Sequence, residues 1–409
     1  MSAAGHWASR GGIVPHGQQR ANEYADVLQG VRRVAAEAAR RAAEIDEMRS
    51  FPQDLFDELE ATGVFKSLTP KAYGGLELSL GQANHLIVEG ARANGSLGWL
   101  LMIGLSQGIG LGMFPEKTVA KLLEEFSDLR TRGVFAPKGT AVPTDGGYVV
   151  TGQWPFASGG PNPHFVGGNC IVMRDGKPSI LPDGAPELVI AMMPASAVEP
   201  LDTWHVLGMR GSDSHDYAAR EVFVPEEMTI NIVTAASFFD TPPARLPIRV
   251  ALATQHCAVA LGLAQGALDE LTELAKTKKA AMNPSAVLAA DPVFRHTLGE
   301  QTLRFTGVMA MLDQVTAELE RAGAEEREFT PEETLIGRTM AAYITAECVK
   351  IVDVAYTYAG STSVYNTSSL QRRLRDIHVA TQHVAATPEG YRVLGAALVG
   401  EKLSPTELF

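Results

Sequence analysis

The sequence predicts an α+β chain that is mainly α: an N-terminal helical domain, a central antiparallel β-barrel or sandwich, and a C-terminal four-helix bundle. Three observations carry this. Up to about residue 130 apolar positions recur at helical spacing in Ala-, Glu-, Arg- and Leu-rich stretches. From Arg132 to about Pro225 Gly and Pro become frequent and short β-rich runs replace that period. After Pro243 the helical period returns in four segments.

The elements follow in order. Residues 1–20, rich in Gly, Ala, His and Gln, read as a loose arm, and domains are expected over 21–130, 131–240 and 241–409. From about Asn22 to Arg49, Val27, Val31, Val34, Ala38 and Ile45 mark one helical face. Pro52 stands where a helix begins and Gly63 where one stops. The apolar run Leu80–Met113 is interrupted by Gly95, Gly98, Gly104 and Gly108, which mark a break between helices or permit close packing. GYVVTGQW, LVIAMMP and AAREVFVP read as strands, and DGG at 145–147 as a hairpin turn. The later helices are expected over Val250–Leu274 and roughly 291–322, 331–359 and 367–386, with Glu332 and Glu333 suited to a helix start after Pro331.

Bulk properties narrow the function. The 409 residues carry a net charge of −12, which disfavours nucleic-acid and anionic-membrane partners. Cys170, Cys257 and Cys348 form no CxxC pair or zinc-ligand spacing, so no metal site is expected. The N-terminus lacks a signal-peptide pattern and no run is long enough to span a bilayer, which makes the cytoplasm the expected location. Walker-type, HExxH and GxSxG motifs are absent.

Three segments carry chemistry. WHVLGMRGSDSHDYAAREVFVPEE at 204–227 is a Gly-rich loop feeding a strand. It resembles the GxRGSxxxD…VPxE signature of the acyl-CoA dehydrogenase superfamily. ANGSLGW at 93–99, LGLAQGALDEL at 261–271 and the order of domains match that superfamily over nearly the whole chain. The second segment is TGQWPFASGGPNPH at 151–164. Trp154 and Phe156 are able to flank a planar ring, and Ser158 and the Gly159 backbone offer small hydrogen-bonding groups, which is what a flavin needs; a β-bulge with core aromatics would use the same residues. In the third, LRDIHVATQHVAATPEGY at 374–391, helical spacing places Arg375, His378 and Gln382 on one face with His383 beside them. Histidines near a helix end serve equally as solvent-facing or core residues.

The resemblance assigns these segments more narrowly. W-x-F-x-SG is similar to the flavin-dependent monooxygenase branch of the superfamily, whereas its dehydrogenases carry a form like WITNG. Where those dehydrogenases have Tyr-Glu-Gly-Thr, this chain has His383 and Val384, and the Glu389–Gly390 pair is displaced. The Arg-x-x-Phe-Gly element that grips FAD is missing from DPVFRHTLGEQ at 291–301, leaving Arg295 for a surface salt bridge. The resemblance therefore implies the oxygenase component of a two-component system. It would take FMNH2 or FADH2 from an NAD(P)H-dependent flavin reductase and, through a C4a-(hydro)peroxyflavin, hydroxylate a small aromatic or polyketide-like substrate. His383 and Ser158 are the implied catalytic residues, with Trp154, Phe156, Gly159 and Arg375 as flavin contacts and His85 as a substrate contact. A homotetramer is the implied assembly. An acyl-CoA dehydrogenase with an atypical base, or a non-catalytic relative using the scaffold for binding, are the alternatives.

Overall fold

A computed structural model describes residues 18–182, 184–231, 235–280 and 283–403. The expected arm lies outside these residues except at its end, where Gln18 already opens a helix. The N-terminal helices are α1 (Gln18–Arg40), α2 (Ala42–Met48), α3 (Gln53–Ala61), α4 (Leu80–Ala93), α5 (Gly95–Gly110) and α6 (Glu116–Glu125). The single helix expected over 22–49 is two, and Val27, Val31, Val34, Ala38 and Ile45 are all buried as its face requires. Pro52 precedes α3, and Gly63 follows it in the left-handed conformation (φ +75°).

The apolar run after Leu80 breaks at Asn94, whose extended backbone caps α5 through a 3.2 Å bond from Leu97 N to its Oδ1. Two of the interrupting glycines have specific neighbours. A Cβ on Gly95 would lie 2.6 Å from Asp376 Oδ2, and one on Gly98 would lie 2.3 Å from the Ala91 Cβ. The first lets a distant carboxylate reach the α4–α5 corner; the second lets the two helices close on each other.

The sheet comprises β1 (Thr131–Thr144), β2 (Gly147–Trp154), β3 (Phe165–Arg174), β4 (Lys177–Pro178), β5 (Leu188–Pro194), β6 (Glu199–Leu201), β7 (Asp216–Pro225) and β8 (Thr229–Ile230). Their order is β6-β7-β2-β1-β3-β5-β8, with β4 paired to β3. Asp145 and Gly146 form the two-residue turn between β1 and β2, with Gly146 at φ +74°. The pairs are antiparallel except β1 with β3, which is parallel and shifts register between Val134 and Gly139. Sequence patterning did not signal that crossover, because alternation is the same in both pairings.

The bundle contains α7 (Ile248–Thr277), then a short hairpin of β9 (Lys279–Ala280) and β10 (Asn283–Val287), then α8 (Pro292–Ala324), α9 (Pro331–Ala359) and α10 (Ser369–Ala380). A further helix, α11 (Glu389–Leu398), packs on α9. Thr330 and Glu333 form a capping box around Pro331. α7 is buried along most of its length between α4 and α9, which explains why its sequence is apolar on every side. One core runs through α1–α5 and α7–α10 and a second fills the sheet.

Candidate flavin and oxygenation site

The GMRGSDS loop joins the sheet to the helices. A Cβ on Gly208 would lie 2.4 Å from the Arg375 carbonyl carbon, and one on Gly211 would meet Ile45. Both glycines are therefore needed for close approach. Asp376 Oδ1 accepts from Met209 N at 2.6 Å, and burial pushes the Asp376 carboxyl up to about 6. Arg210 donates to the Asp46 and Val206 carbonyls. Three chain-distant pieces, residues 45–49, 204–216 and 372–376, are thus locked together beside β2.

Against this frame stands a chain of hydroxyls and rings. Ser158, just beyond β2, is buried; its Oγ accepts from Trp99 Nε1 at 2.9 Å and lies 2.6 Å from Ser214 Oγ. Ser214 Oγ is in turn 2.8 Å from Ser212 Oγ. The Trp99 ring meets His383 edge-on at 5.5 Å between centroids and His256 at 5.9 Å. His256 and His383 stack at 5.0 Å with 17° between their planes. Among the described residues neither nitrogen of the fully buried His256 has a hydrogen-bond partner.

His383 lies beyond the helix that was expected to hold it. α10 ends at Ala380, and His383 caps a 3₁₀ turn at Val384–Ala386 by accepting from Ala385 N at its Nδ1 (3.3 Å). That bond fixes the proton of the neutral ring on Nε2, so the imidazole presents a donor at its other edge. Burial pushes its pKa down to about 4, and burial holds His256 well below the ordinary histidine value. Both rings are neutral near pH 7. At these two histidines the unfolded chain binds more protons than the folded one between about pH 4 and the ordinary histidine value near 6.5, an effect that the raised Asp376 carboxyl partly offsets. Stability is then expected to fall as pH drops through that window. Melting temperatures taken by circular dichroism across it should show the loss, with a shallower slope for His383→Gln.

The other expected residues divide. Phe156 stands at φ +65° with 65% of its surface exposed, its ring edge-on to Trp204, and Phe135 of β1 is 54% exposed. Gly159 has φ +149°, and a Cβ there would lie 2.5 Å from Thr131 O. Trp154, expected to flank a flavin, is instead fully buried in the sheet core, stacked on Tyr217 at 5.1 Å and donating to Asn169 O at 2.8 Å. Arg375, expected on the cofactor, directs its three nitrogens to Gln371 Oε1, Leu207 O and Asp46 Oδ2. It braces the loop frame. His85, expected at the substrate, lies on α4 with its Nδ1 on the Tyr24 hydroxyl and its Nε2 3.6 Å from Glu89, and joins none of the rings around Trp99. Among the described residues Arg295 forms no salt bridge of the expected kind; its Nε donates to Ala289 O at 2.6 Å. His378 and Gln382 are exposed, and His378 bonds Asp353 at 3.0 Å.

Trp99, His256, Ser212 and Ser214 were not anticipated as site residues. Trp99 and the two serines stand inside quoted motifs, which was the available signal; His256, in a uniformly apolar helix, had none.

A cavity of about 330 Å³, walled by α5, α6, β1, β3, β5 and α7, begins at Ile103, one turn along α5 from Trp99; the cluster residues themselves do not line it. Among the described residues no group of three or more His, Cys, Asp or Glu side chains is placed to hold a metal ion, and no helix is long and apolar enough to cross a membrane.

A flat apolar ring fits what is present: two exposed phenylalanines at one end of the β1–β2 ladder, a serine hydroxyl beside them, and buried polar ring edges lacking partners. Fold and site together define a flavoprotein scaffold, and the chain belongs to the acyl-CoA dehydrogenase family. It matches the family's N-terminal domain over residues 21–115 and its C-terminal domain over 254–388. Within that family its relatives are oxygenases. Indole-3-acetate monooxygenase of Acinetobacter baumannii is 29% identical, covering 89% of this chain and 91% of that protein. The flavin-dependent monooxygenase oxygenase subunit HsaA of Rhodococcus jostii is 25% identical over 90% and 96%. The crystal structure of 3-HSA hydroxylase from Rhodococcus sp. RHA1 superposes with a TM-score of 0.85 at 25% identity, covering 93% and 99%.

Proposed function

We propose that the chain is the oxygenase component of a two-component flavin-dependent monooxygenase that hydroxylates a small aromatic or polyketide-like substrate. The observation that carries this is the meeting of Ser158, Trp99 and His383 where sheet and helices join, in a chain similar almost end to end to named oxygenases. When bound, reduced flavin (FMNH2 or FADH2) supplies the electrons that activate O2.

The protein's own residues supply the rest. Phe156 and Phe135 pack on the flat ring, and the Gly159 backbone lies close enough to border it. Ser158 Oγ, already accepting from Trp99, meets a polar ring edge. His383 offers its Nε2–H to the reacting oxygen, and its depressed pKa keeps it from carrying a standing charge there. Trp99 and the His256 ring close the site against water.

An NAD(P)H-dependent reductase supplies the flavin, and the pair works in the cytoplasm. Exposed apolar side chains on the bundle, among them Val293, Leu303, Val364, Tyr365 and Leu398, support subunit contacts of the kind a homotetramer makes.

The test is to mix the protein anaerobically with photoreduced FMN or FAD, admit O2, and screen aromatic substrates for oxygenated product by mass spectrometry. Oxygenated product supports the reading. Copurifying FAD that an acyl-CoA bleaches without oxygen would replace it with the dehydrogenase. Phe156→Ala is expected to weaken reduced-flavin binding by about tenfold, measured by anaerobic fluorescence titration, because an exposed ring contributes about 1 kcal/mol or more on stacking.

A further inference from the structure

We propose that Ser106, oriented by Gln255, determines the specificity of the cavity, and that the ligand it selects is a flat apolar molecule carrying an N–H or O–H donor. The inference rests on the oxygenase reading for treating this cavity as the substrate site.

Helical spacing places Trp99, Ile103, Ser106 and Gly110 in one stripe along α5, and Ile248, Leu252 and Gln255 in one stripe along α7. Ile103, Ser106 and Gly110 on the first stripe, and Ile248 and Leu252 on the second, line the cavity. Trp99, at the end of its stripe, touches Ser158 and His383. Ser106 is therefore two turns, or about 10 Å along α5, from the reacting end. Ile103, one turn on from Trp99, carries the cavity wall toward that end.

The polarity of Ser106 follows from counting protons. Its Oγ lies 2.6 Å from Met102 O and 2.6 Å from Gln255 Oε1, yet a hydroxyl has one proton and serves only one of these acceptors. Gln255 is fully buried, and in this orientation its Nε2 has no partner. Turning the amide over lets Nε2 donate to Ser106 Oγ while the Ser106 proton goes to Met102 O. In either arrangement the proton is used inside the protein, and the hydroxyl turns a lone pair to the cavity.

Gln107 is held in the same sense. Its Nε2 spends one of its two protons on Thr131 O at 3.0 Å, and its Oε1 is an acceptor. Two neighbouring oxygens of the α5 wall, Ser106 Oγ and Gln107 Oε1, are thus acceptors toward the cavity. The charged groups of the wall are already paired, Lys66 with Asp128 at 2.8 Å, Glu60 with Arg130 at 2.7 Å and Arg132 with Asp213. A ligand acceptor placed against Ser106 would oppose lone pair to lone pair, whereas a ring N–H or hydroxyl completes the bond.

The test is isothermal titration of two matched pairs, indole against 1-methylindole and phenol against anisole, on the protein with and without oxidised flavin. The donor of each pair is expected to bind about tenfold tighter, the worth of one well-made hydrogen bond in a desolvated site. Ser106→Ala should bring each ratio to within about twofold, and Ser106→Thr, which keeps the hydroxyl, should restore it. Equal affinities in the unmodified protein, an undiminished ratio in Ser106→Ala, or no saturable binding of either pair would overturn the inference. Because the readout is binding, it stands apart from oxygen chemistry. A protein that discriminates the pairs but yields no oxygenated product would sink the oxygenase reading alone.

Discussion

Replacing His383 with alanine is expected to lower product formed per reduced flavin consumed by about a hundredfold, with hydrogen peroxide released in its place. Loss of a positioned proton-transfer or hydrogen-bonding group typically costs about 10²–10⁴ in rate. The geometry sharpens the expectation. With Nδ1 engaged by Ala385 N, Nε2–H is the ring's remaining polar group. Glutamine, whose amide nitrogen reaches the place of Nε2, should retain more coupling than asparagine, whose amide reaches only the place of Nδ1. Paired assays of product by chromatography and peroxide by a peroxidase dye decide it. Unchanged coupling in His383→Ala would remove His383 from the reaction, and equal loss in the glutamine and asparagine variants would remove the directional argument.

The second large effect is on stability. Trp154 lies in a slot cut by glycines from three strands: a Cβ on Gly139, Gly152 or Gly168 would come within 2.1, 2.8 or 2.6 Å of its ring. It stacks on Tyr217, and Tyr217 Oη donates to Gly167 O at 2.7 Å. Trp154→Ala is expected to cost about 3–5 kcal/mol, as for other large aromatic truncations in a packed core. Chemical denaturation followed by fluorescence should show the sheet unfolding at lower denaturant. Trp154→Phe, which keeps an apolar ring, should leave reduced-flavin affinity within about twofold. A large loss of that affinity in a stably folded Trp154→Phe protein would return Trp154 to the cofactor.

The contrast between Trp154 and Phe156 shows how far the WPFASG segment was legible. Its composition drew attention to Trp154, Phe156 and Ser158 together, but two aromatic residues two apart give no reason to separate them. Regular alternation would turn both to one face. The chain leaves that regularity at Phe156, whose left-handed backbone re-aims its ring outward, while the glycines of β1, β2 and β3 hold Trp154 inside. The same holds for Arg375. Its helical face was readable, yet its partners Asp46 and Leu207 O belong to segments far away in the chain.

By itself the sequence determined what depends on neighbours along the chain. Apolar periods located the bundle helices, Pro331 with its capping box opened α9, and Asp145–Gly146 turned β1 into β2. Those signals act over a few residues, through backbone conformation and local hydrogen bonds, so they can be read locally. Tertiary structure alone decided that His383 would leave its helix and stack on His256, that Trp99 would bridge Ser158 to both histidines, and that the Ser106 proton would be spent inside the wall. Each of these depends on burial and on partners brought together from α5, α7 and the turn after α10. Desolvation and hydrogen-bond completion act through space, and no pattern along the chain encodes which groups will share it.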